Sequence, residues 1–145
     1  MVQQIQWLAD GVELPACTRG DRLPRWLDGV ARAHGRLLGA LTYIFCNDEK
    51  ILAVNREFLN HDYYTDAITF AENHGRRIGG DVFISLDTVR TNAEMLSQPY
   101  ERELLRVIAH GLLHLCGIND KGPGEREVME ACEEEALKLL ETIDE

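Results

Sequence analysis

The sequence predicts a single α+β domain over residues 1–145, with a small mixed four-stranded sheet packed against about five helices. At 145 residues the chain can bury one core without disulfide or metal crosslinks. Four short segments rich in β-branched and aromatic residues alternate irregularly with five segments of helical periodicity. Residues 104–116 are almost all apolar or small, so we expect a central buried helix with a metal site at its end.

Each element is predicted from its periodicity and from the turn residues around it. The predicted strands are residues 2–7, 41–46, 67–70 and 79–85, with a hairpin-like turn at 73–77. The predicted helices are residues 23–38, 49–59, 87–96, 104–116 and 125–143.

The sequence also predicts which residues cap the helices and which face the core. Asn47 or Asp48 is expected to cap the second helix, and Asp87 or Thr88 the third. Phe58 in the second helix and Val128 in the last are expected to face inward. The many glutamates of the last helix are expected on its solvated face.

Composition predicts a soluble, cytoplasmic protein. Apolar residues make up 45% of the chain and charged residues 28%, which is ordinary for a globular domain. No apolar run reaches about 18 residues, and no basic segment precedes an apolar one at the N-terminus, so neither a membrane span nor a signal peptide is predicted. The four cysteines show no C-x-x-C or zinc-finger spacing, which indicates free thiols.

The net charge of −10 is unevenly distributed along the chain. Residues 1–78 carry nine Lys/Arg against ten Asp/Glu, whereas residues 79–145 carry six against fifteen. Such an acidic protein repels nucleic acid at long range, which disfavours general high-affinity binding of DNA or RNA. Any contact with nucleic acid is expected to be local and on the nearly neutral half.

Two histidines interrupt the apolar helix and suggest a metal site. His110 and His114 are four residues apart, so they share one helical face, about 5–6 Å apart at Cβ. Gly117 is a typical helix-ending glycine, after which the chain can return Asp120 toward the pair. Two solvated or hydrogen-bonded histidines are the simpler interpretation of this spacing. Burial favours the metal, because unpaired buried polar groups cost about 1–3 kcal/mol each.

A site of three protein ligands indicates catalysis rather than a structural role. Structural zinc is usually closed by four ligands rich in cysteine, whereas catalytic zinc keeps one position for water. A metal-bound water of lowered pKa makes hydrolysis the natural reaction class. A metalloprotease of the H-E-x-x-H kind carries its base directly after the first histidine, where this chain has Gly111. That mechanism is therefore not expected.

From about residue 40 to 140 the chain resembles the YbeY family of bacterial rRNA-maturation endoribonucleases. The resemblance rests on Asn55 and on three segments in the same order: TDAITF at 65–70, GDVFIS at 80–85 and HGLLHLCG at 110–117. It implies a zinc-dependent, single-strand-specific endoribonuclease acting in small-subunit rRNA maturation and ribosome quality control. The partners implied are single-stranded or ribosomal RNA and a ribosomal particle or ribosomal protein.

Two positions depart from the family pattern. Asp120 aligns with a third histidine, and an aspartate lowers the net charge of the loaded site from +2 to +1, favouring harder ions such as manganese. Leu59 aligns with an arginine held to serve RNA cleavage. The positive charge for a phosphate could instead come from Arg56, His61, Arg76, Arg77 or Lys121, each of which is otherwise a solvated surface residue.

The sequence leaves the general base unassigned and two functions open. Asp66 is expected either to cap a strand or to bond a ligand histidine. The favoured function is a metal-dependent endoribonuclease using His110, His114 and Asp120, with zinc or manganese. The alternative, motivated by Leu59, is a non-catalytic ribosome assembly factor stabilised by its metal.

Overall fold

A mixed four-stranded sheet underlies the fold, as the sequence predicts. The computed structural model describes residues 5–59 and 65–144. The strands are β1 (Ile5–Ala9), β2 (Leu37–Cys46), β3 (Ala67–Ala71) and β4 (Arg77–Ser85). Their order is β1-β2-β4-β3, with β1, β2 and β4 parallel and β3 antiparallel to β4. Strand β3 is therefore an edge of this sheet.

The described residues form five α-helices beside the sheet, which makes the architecture α+β as expected. They are α1 (Arg22–Ala33), α2 (Asp48–Leu59), α3 (Leu86–Met95), α4 (Tyr100–Leu115) and α5 (Glu125–Glu141). A short 3-10 turn lies at Ala16–Thr18. Within the described ranges, no helix is long and apolar enough to cross a membrane.

Helix α4 lies at the centre of the core, between the sheet and α5. Its residues Val107, Ile108, Leu112 and Leu113 are fully buried. The Tyr43 hydroxyl of β2 donates to the Ile108 carbonyl at 2.8 Å, which fixes α4 against the sheet. Because α4 is held on several sides, side chains at its C-terminal end are presented with little freedom.

The first helix is shorter than its apolar pattern predicts. It ends at Ala33 rather than at residue 38, and Gly35 follows with φ +73°, a left-handed conformation suited to glycine. Leu37 and Leu38 belong to β2 instead. Two consecutive leucines are compatible with a buried strand as well as with the apolar face of a helix. The prediction from apolar spacing alone therefore extended the helix too far.

Other local predictions were partly wrong. Helix α3 is capped by Ser85, whose hydroxyl accepts from the Thr88 amide at 3.3 Å, rather than by Asp87 or Thr88. Phe58 and Val128 are 62% and 54% exposed, so neither faces the core. The first strand begins within the described residues at Ile5, and the predicted positions 2–4 lie outside them.

Candidate metal centre

The two histidines of α4 lie one helical turn apart at the edge of the core. The His110 and His114 rings are nearly perpendicular, with centroids 4.5 Å apart. Helix α4 then ends in a Schellman motif, in which the Gly117 amide donates to the His114 carbonyl and the Ile118 amide to the Leu113 carbonyl, both at 3.0 Å. Gly117 adopts φ +100°, and the reversal returns the chain toward the histidines.

Asp120 completes a converging set of three ligand atoms. Its Oδ2 lies 3.5 Å from Nε2 of His110 and 3.4 Å from Nε2 of His114. The three ligand atoms all lie within 4.8 Å of one another. Metal–ligand bonds of 2.0–2.1 Å in a tetrahedron require ligand atoms about 3.3–3.4 Å apart. The two distances from Oδ2 to the nitrogens match this spacing, so the carboxylate and the two imidazoles are placed to bind one divalent ion.

Glu133 of α5 orients the first histidine. Its Oε2 lies 2.6 Å from Nδ1 of His110, on the ring side opposite Asp120. The Nδ1–H donates to this carboxylate, which leaves the Nε2 lone pair for the ion. Glu133 is only 3% exposed, so its carboxylate is largely removed from solvent.

Arg106 holds that carboxylate in place. Its Nη1 donates to Oε1 of Glu133 at 2.9 Å, and its Nε and Nη2 bind both oxygens of Glu103 at 2.9 and 2.5 Å. Glu103 is 2% exposed. One arginine thus neutralises only one of two buried carboxylates, and the remaining negative charge lies beside the imidazole.

The protonation of the site follows from burial and from these pairs. Burial, and then the neighbouring His110, lower the pKa of His114, so its imidazole is neutral at neutral pH. Burial acts to raise the pKa of Glu133, but the hydrogen bonds and charges of His110 and Arg106 outweigh it and lower that pKa. A neutral imidazole and ionised carboxylates are the forms that bind a metal ion.

The three ligand side chains line an open cleft of about 260 Å³. Its other walls come from α2, from β3 and from the segment before β3. They include Leu59, Asp66 and Thr69. Among the described residues of this cleft, Lys121 is the cationic one. A second opening of about 280 Å³ reaches the other side of His110 from α5, and Lys121 lines both.

Comparison with known proteins identifies the family. A family model described as Endoribonuclease YbeY matches residues 24–141. The chain belongs to the YbeY family. Proteins named Endoribonuclease YbeY from Phocaeicola vulgatus and Bacteroides thetaiotaomicron are 58% and 55% identical to it over 136 and 135 residues. These alignments cover 94% and 93% of this chain and 98% of each relative.

A YbeY relative from Porphyromonas gingivalis is 50% identical over 141 residues, or 97% of this chain and 93% of the relative. The solution structure of TM1509 from Thermotoga maritima shares the fold, with a TM-score of 0.62 at 23% identity. That similarity covers 94% of this chain and 88% of the other. The α+β architecture described above is therefore one already observed in a solved structure.

The other residues that the sequence of this YbeY-family chain suggests for the site do not all line the described cleft. Asn55 lines the cleft and is 1% exposed. Arg56 is exposed on α2 and is not among the described residues of the cleft. His61 lies outside the described residues. Asp66 accepts from Asn92 at 3.2 Å and lies 3.8 Å from Arg106, so its contacts are with these residues rather than with a ligand histidine.

Cys116 is a buried thiol and not a candidate ligand. It is 7% exposed, and burial raises its pKa to about 11. It therefore stays protonated at neutral pH, whereas a cysteine ligand binds metal as the thiolate. This agrees with its position two residues after His114, which turns it to another face of the chain.

The histidine partner that the sequence did not identify is Glu133. The prediction that the glutamates of the last helix face solvent is wrong for this one residue. A signal was present, because Met129, Glu133, Leu137 and Leu140 recur at helical spacing along the buried stripe of α5. A carboxylate inside an apolar stripe needs partners, and His110 and Arg106 of α4 provide them.

Proposed function

We propose that this chain is a metal-dependent endoribonuclease that hydrolyses phosphodiester bonds in single-stranded RNA. The observation that carries the proposal is the convergence of His110, His114 and Asp120 in an open cleft. A divalent ion there supplies a Lewis acid for a phosphoryl oxygen and a water of lowered pKa. Membership in the YbeY family, whose relatives are named endoribonucleases, supports RNA as the substrate.

In this proposal the residues around the ion have separate tasks. The two Nε2 atoms and Oδ2 of Asp120 hold it, while Glu133 fixes the tautomer and orientation of His110. Lys121, on the rim of both openings, offers an ammonium group to the negative phosphate. Asp120 lowers the charge of the site compared with three histidines, so manganese competes with zinc more effectively.

The cellular role that we propose is maturation of ribosomal RNA and ribosome quality control. The partners are then ribosomal RNA and a ribosomal particle or ribosomal protein, with neither DNA nor a membrane expected. A basic ribosomal protein would complement the exposed acidic face of α5. The cytoplasmic location stays a prediction.

The test combines metal analysis with RNA cleavage by the purified protein. We expect about one divalent ion per chain, and cleavage of single-stranded but not double-stranded RNA that stops with chelator and returns with the ion. His114→Ala should abolish both metal and cleavage, whereas Glu134→Gln, on the exposed face of α5, should change neither. Cleavage that survives chelation, or wild-type rates in His114→Ala, would contradict the proposal.

A second function is favoured by one observation, the apolar wall of the cleft at Leu59. The family resemblance implies an arginine there, and a leucine offers no charge to the phosphate. Under this alternative the protein is a metal-stabilised ribosome assembly factor without turnover. It predicts that the metal-loaded protein binds ribosomal particles but cleaves no RNA, and that loss of the metal lowers the thermal midpoint.

A further inference from the structure

We propose that three arginines beyond the metal centre bind the phosphate backbone of a single-stranded RNA that enters the cleft. Arg36 follows α1, and Arg76 and Arg77 lie at the turn between β3 and β4. We call these three residues the arginine cluster. The proposal rests on the endoribonuclease function proposed above, and adds a second, electrostatic site for the same substrate.

Hydrogen bonds that cross between two backbone segments place the three side chains together. Arg36 Nη1 donates to the Gly75 carbonyl at 3.3 Å, and Arg76 Nε to the Gly35 carbonyl at 3.0 Å. Arg77 Nη1 donates to the Leu38 carbonyl at 2.9 Å. Each guanidinium has five N–H donors, so most of them remain for an incoming anion.

None of these three guanidiniums forms an ion pair with a carboxylate among residues 5–59 and 65–144. Other arginines do, as in the pairs Arg25–Asp21, Arg90–Asp87 and Arg102–Glu134, at 3.4, 3.9 and 2.6 Å. Glu72 is the acidic residue of the turn, and its single negative charge does not offset the three guanidinium groups, so the local charge stays positive. In a chain of net charge −10, a group of uncompensated cations points to an anionic ligand.

The two walls of the cleft lead from the metal centre to the arginine cluster. One wall is β3, which contributes residues 67–69 to the cleft and then continues into the turn. The other is the C-terminal part of α4, which contributes His110 and His114 to the cleft and ends at Leu115. The Asn73 side chain donates to the Leu115 carbonyl at 3.1 Å, and so joins the two walls beside the cluster. Arg36 also lies close to Gly117, three residues beyond His114.

The opposite side of the site offers no comparable group of uncompensated cations among the described residues. In the second opening Arg126 pairs with Glu130 at 3.2 Å and Arg106 pairs with Glu103 and Glu133, and further exposed glutamates lie along α5. A polyanion bound at the metal centre is therefore directed along β3 and not over α5. Guanidinium groups are suited to this task, because they bind phosphate with paired N–H donors.

The experiment compares the wild-type protein with the triple variant Arg36→Gln/Arg76→Gln/Arg77→Gln. Binding of a fluorescent 12-nucleotide single-stranded RNA is measured by anisotropy with chelator present, at several salt concentrations. Each lost phosphate contact should reduce the slope of log K against log salt by about 0.7, or about 2 in total. At about 0.1 M salt this corresponds to roughly 10–100-fold weaker binding.

Two further variants separate charge from folding. Arg36→Lys/Arg76→Lys/Arg77→Lys keeps the charge and should keep the salt slope. Arg25→Gln/Arg90→Gln/Arg102→Gln removes the same charge elsewhere and should bind nearly as the wild type. The metal-loaded cluster variant should lose catalytic efficiency on the 12-nucleotide RNA but not on a tetranucleotide, a length dependence that a general folding defect does not produce.

An unchanged affinity and salt slope in the cluster variant would overturn this inference while leaving the endoribonuclease intact. Equal losses on the short and long substrates would overturn it as well, since they indicate a defect in the metal centre. If the wild-type protein neither binds nor cleaves single-stranded RNA, the proposed function itself fails.

Discussion

His110 and Glu133, 23 positions apart in the chain, are joined by a partly buried hydrogen bond of 2.6 Å between Nδ1 and Oε2. This bond ties α4, which carries the candidate histidine ligands, to α5, which presents an apolar stripe to the core and an acidic face to solvent. It also makes metal binding and the packing of these two helices depend on each other.

Glu133→Gln should weaken metal binding more than it disturbs the fold. The amide keeps the size of the side chain but loses the charge that orients His110, and loss of such partners typically costs 10–100-fold in metal affinity. Competition with a chromogenic chelator measures the change. Glu134→Gln, whose exposed side chain pairs with Arg102 at 2.6 Å, is the control and should keep wild-type affinity. Equal metal affinities in Glu133→Gln and Glu134→Gln would show that Glu133 does not support metal binding.

The sequence predicted the parts of the site that are local in the chain. Helical spacing placed His110 and His114 on one face, and the Gly117 stop accounted for the return of Asp120. Glu133 was missed because it is the first of three consecutive glutamates, and only its position in the stripe between Met129 and Leu137 distinguishes it. Whether such a stripe meets a histidine depends on how two helices pack, which no local pattern specifies.

Gly111→Ala should destabilise the protein, although alanine is the better helix former. A Cβ at position 111 would lie 2.7 Å from Cγ1 of Val82, a buried and β-branched neighbour with little freedom. Overpacking costs about 1–3 kcal/mol, against a gain of about 1 kcal/mol from helix propensity. In a Val82→Ala background the same substitution should become neutral or stabilising. Urea unfolding of the four proteins measures this coupling, and additive effects would contradict it.

Mild acid should destabilise the metal-free protein. Burial and His110 lower the pKa of His114 from its ordinary 6.5, so the folded state takes up this proton less readily than the unfolded state. Unfolding then binds a proton as the pH falls below about 6.5, and the contribution to stability is lost. The lowered pKa of Glu133 adds a second loss at lower pH, as the pH falls through its folded-state value. Thermal midpoints from about pH 7 to 5 measure the contribution of His114, and a flat profile over this range would contradict it.

Asp120→His should shift the metal preference toward zinc. Replacing the carboxylate with imidazole raises the charge of the loaded site from +1 to +2, and softer nitrogen ligands favour zinc over manganese. We expect the ratio of zinc to manganese affinity to rise about tenfold or more. Asp120→Asn, which keeps the size but loses the charge, should weaken both ions. An unchanged ratio in Asp120→His would mean that position 120 does not contact the metal.

Leu59→Arg should increase RNA cleavage by supplying the positive charge that the cleft lacks at this wall. Leu59 is 39% exposed and lines the cleft with Asp120 and Lys121, so a longer side chain has room to reach a bound phosphate. A guanidinium that stabilises charge on a transferring phosphoryl group can accelerate the reaction strongly, and we expect about tenfold or more in kcat/KM. Ala53→Arg adds the same charge to an exposed position of α2 outside the described cleft, and should leave the rate unchanged. If both variants raise kcat/KM equally, the gain is long-range attraction of RNA. The assembly-factor alternative is favoured if neither the wild type nor Leu59→Arg cleaves RNA while both retain the metal. That result would show that a positive charge at position 59 is not sufficient for cleavage.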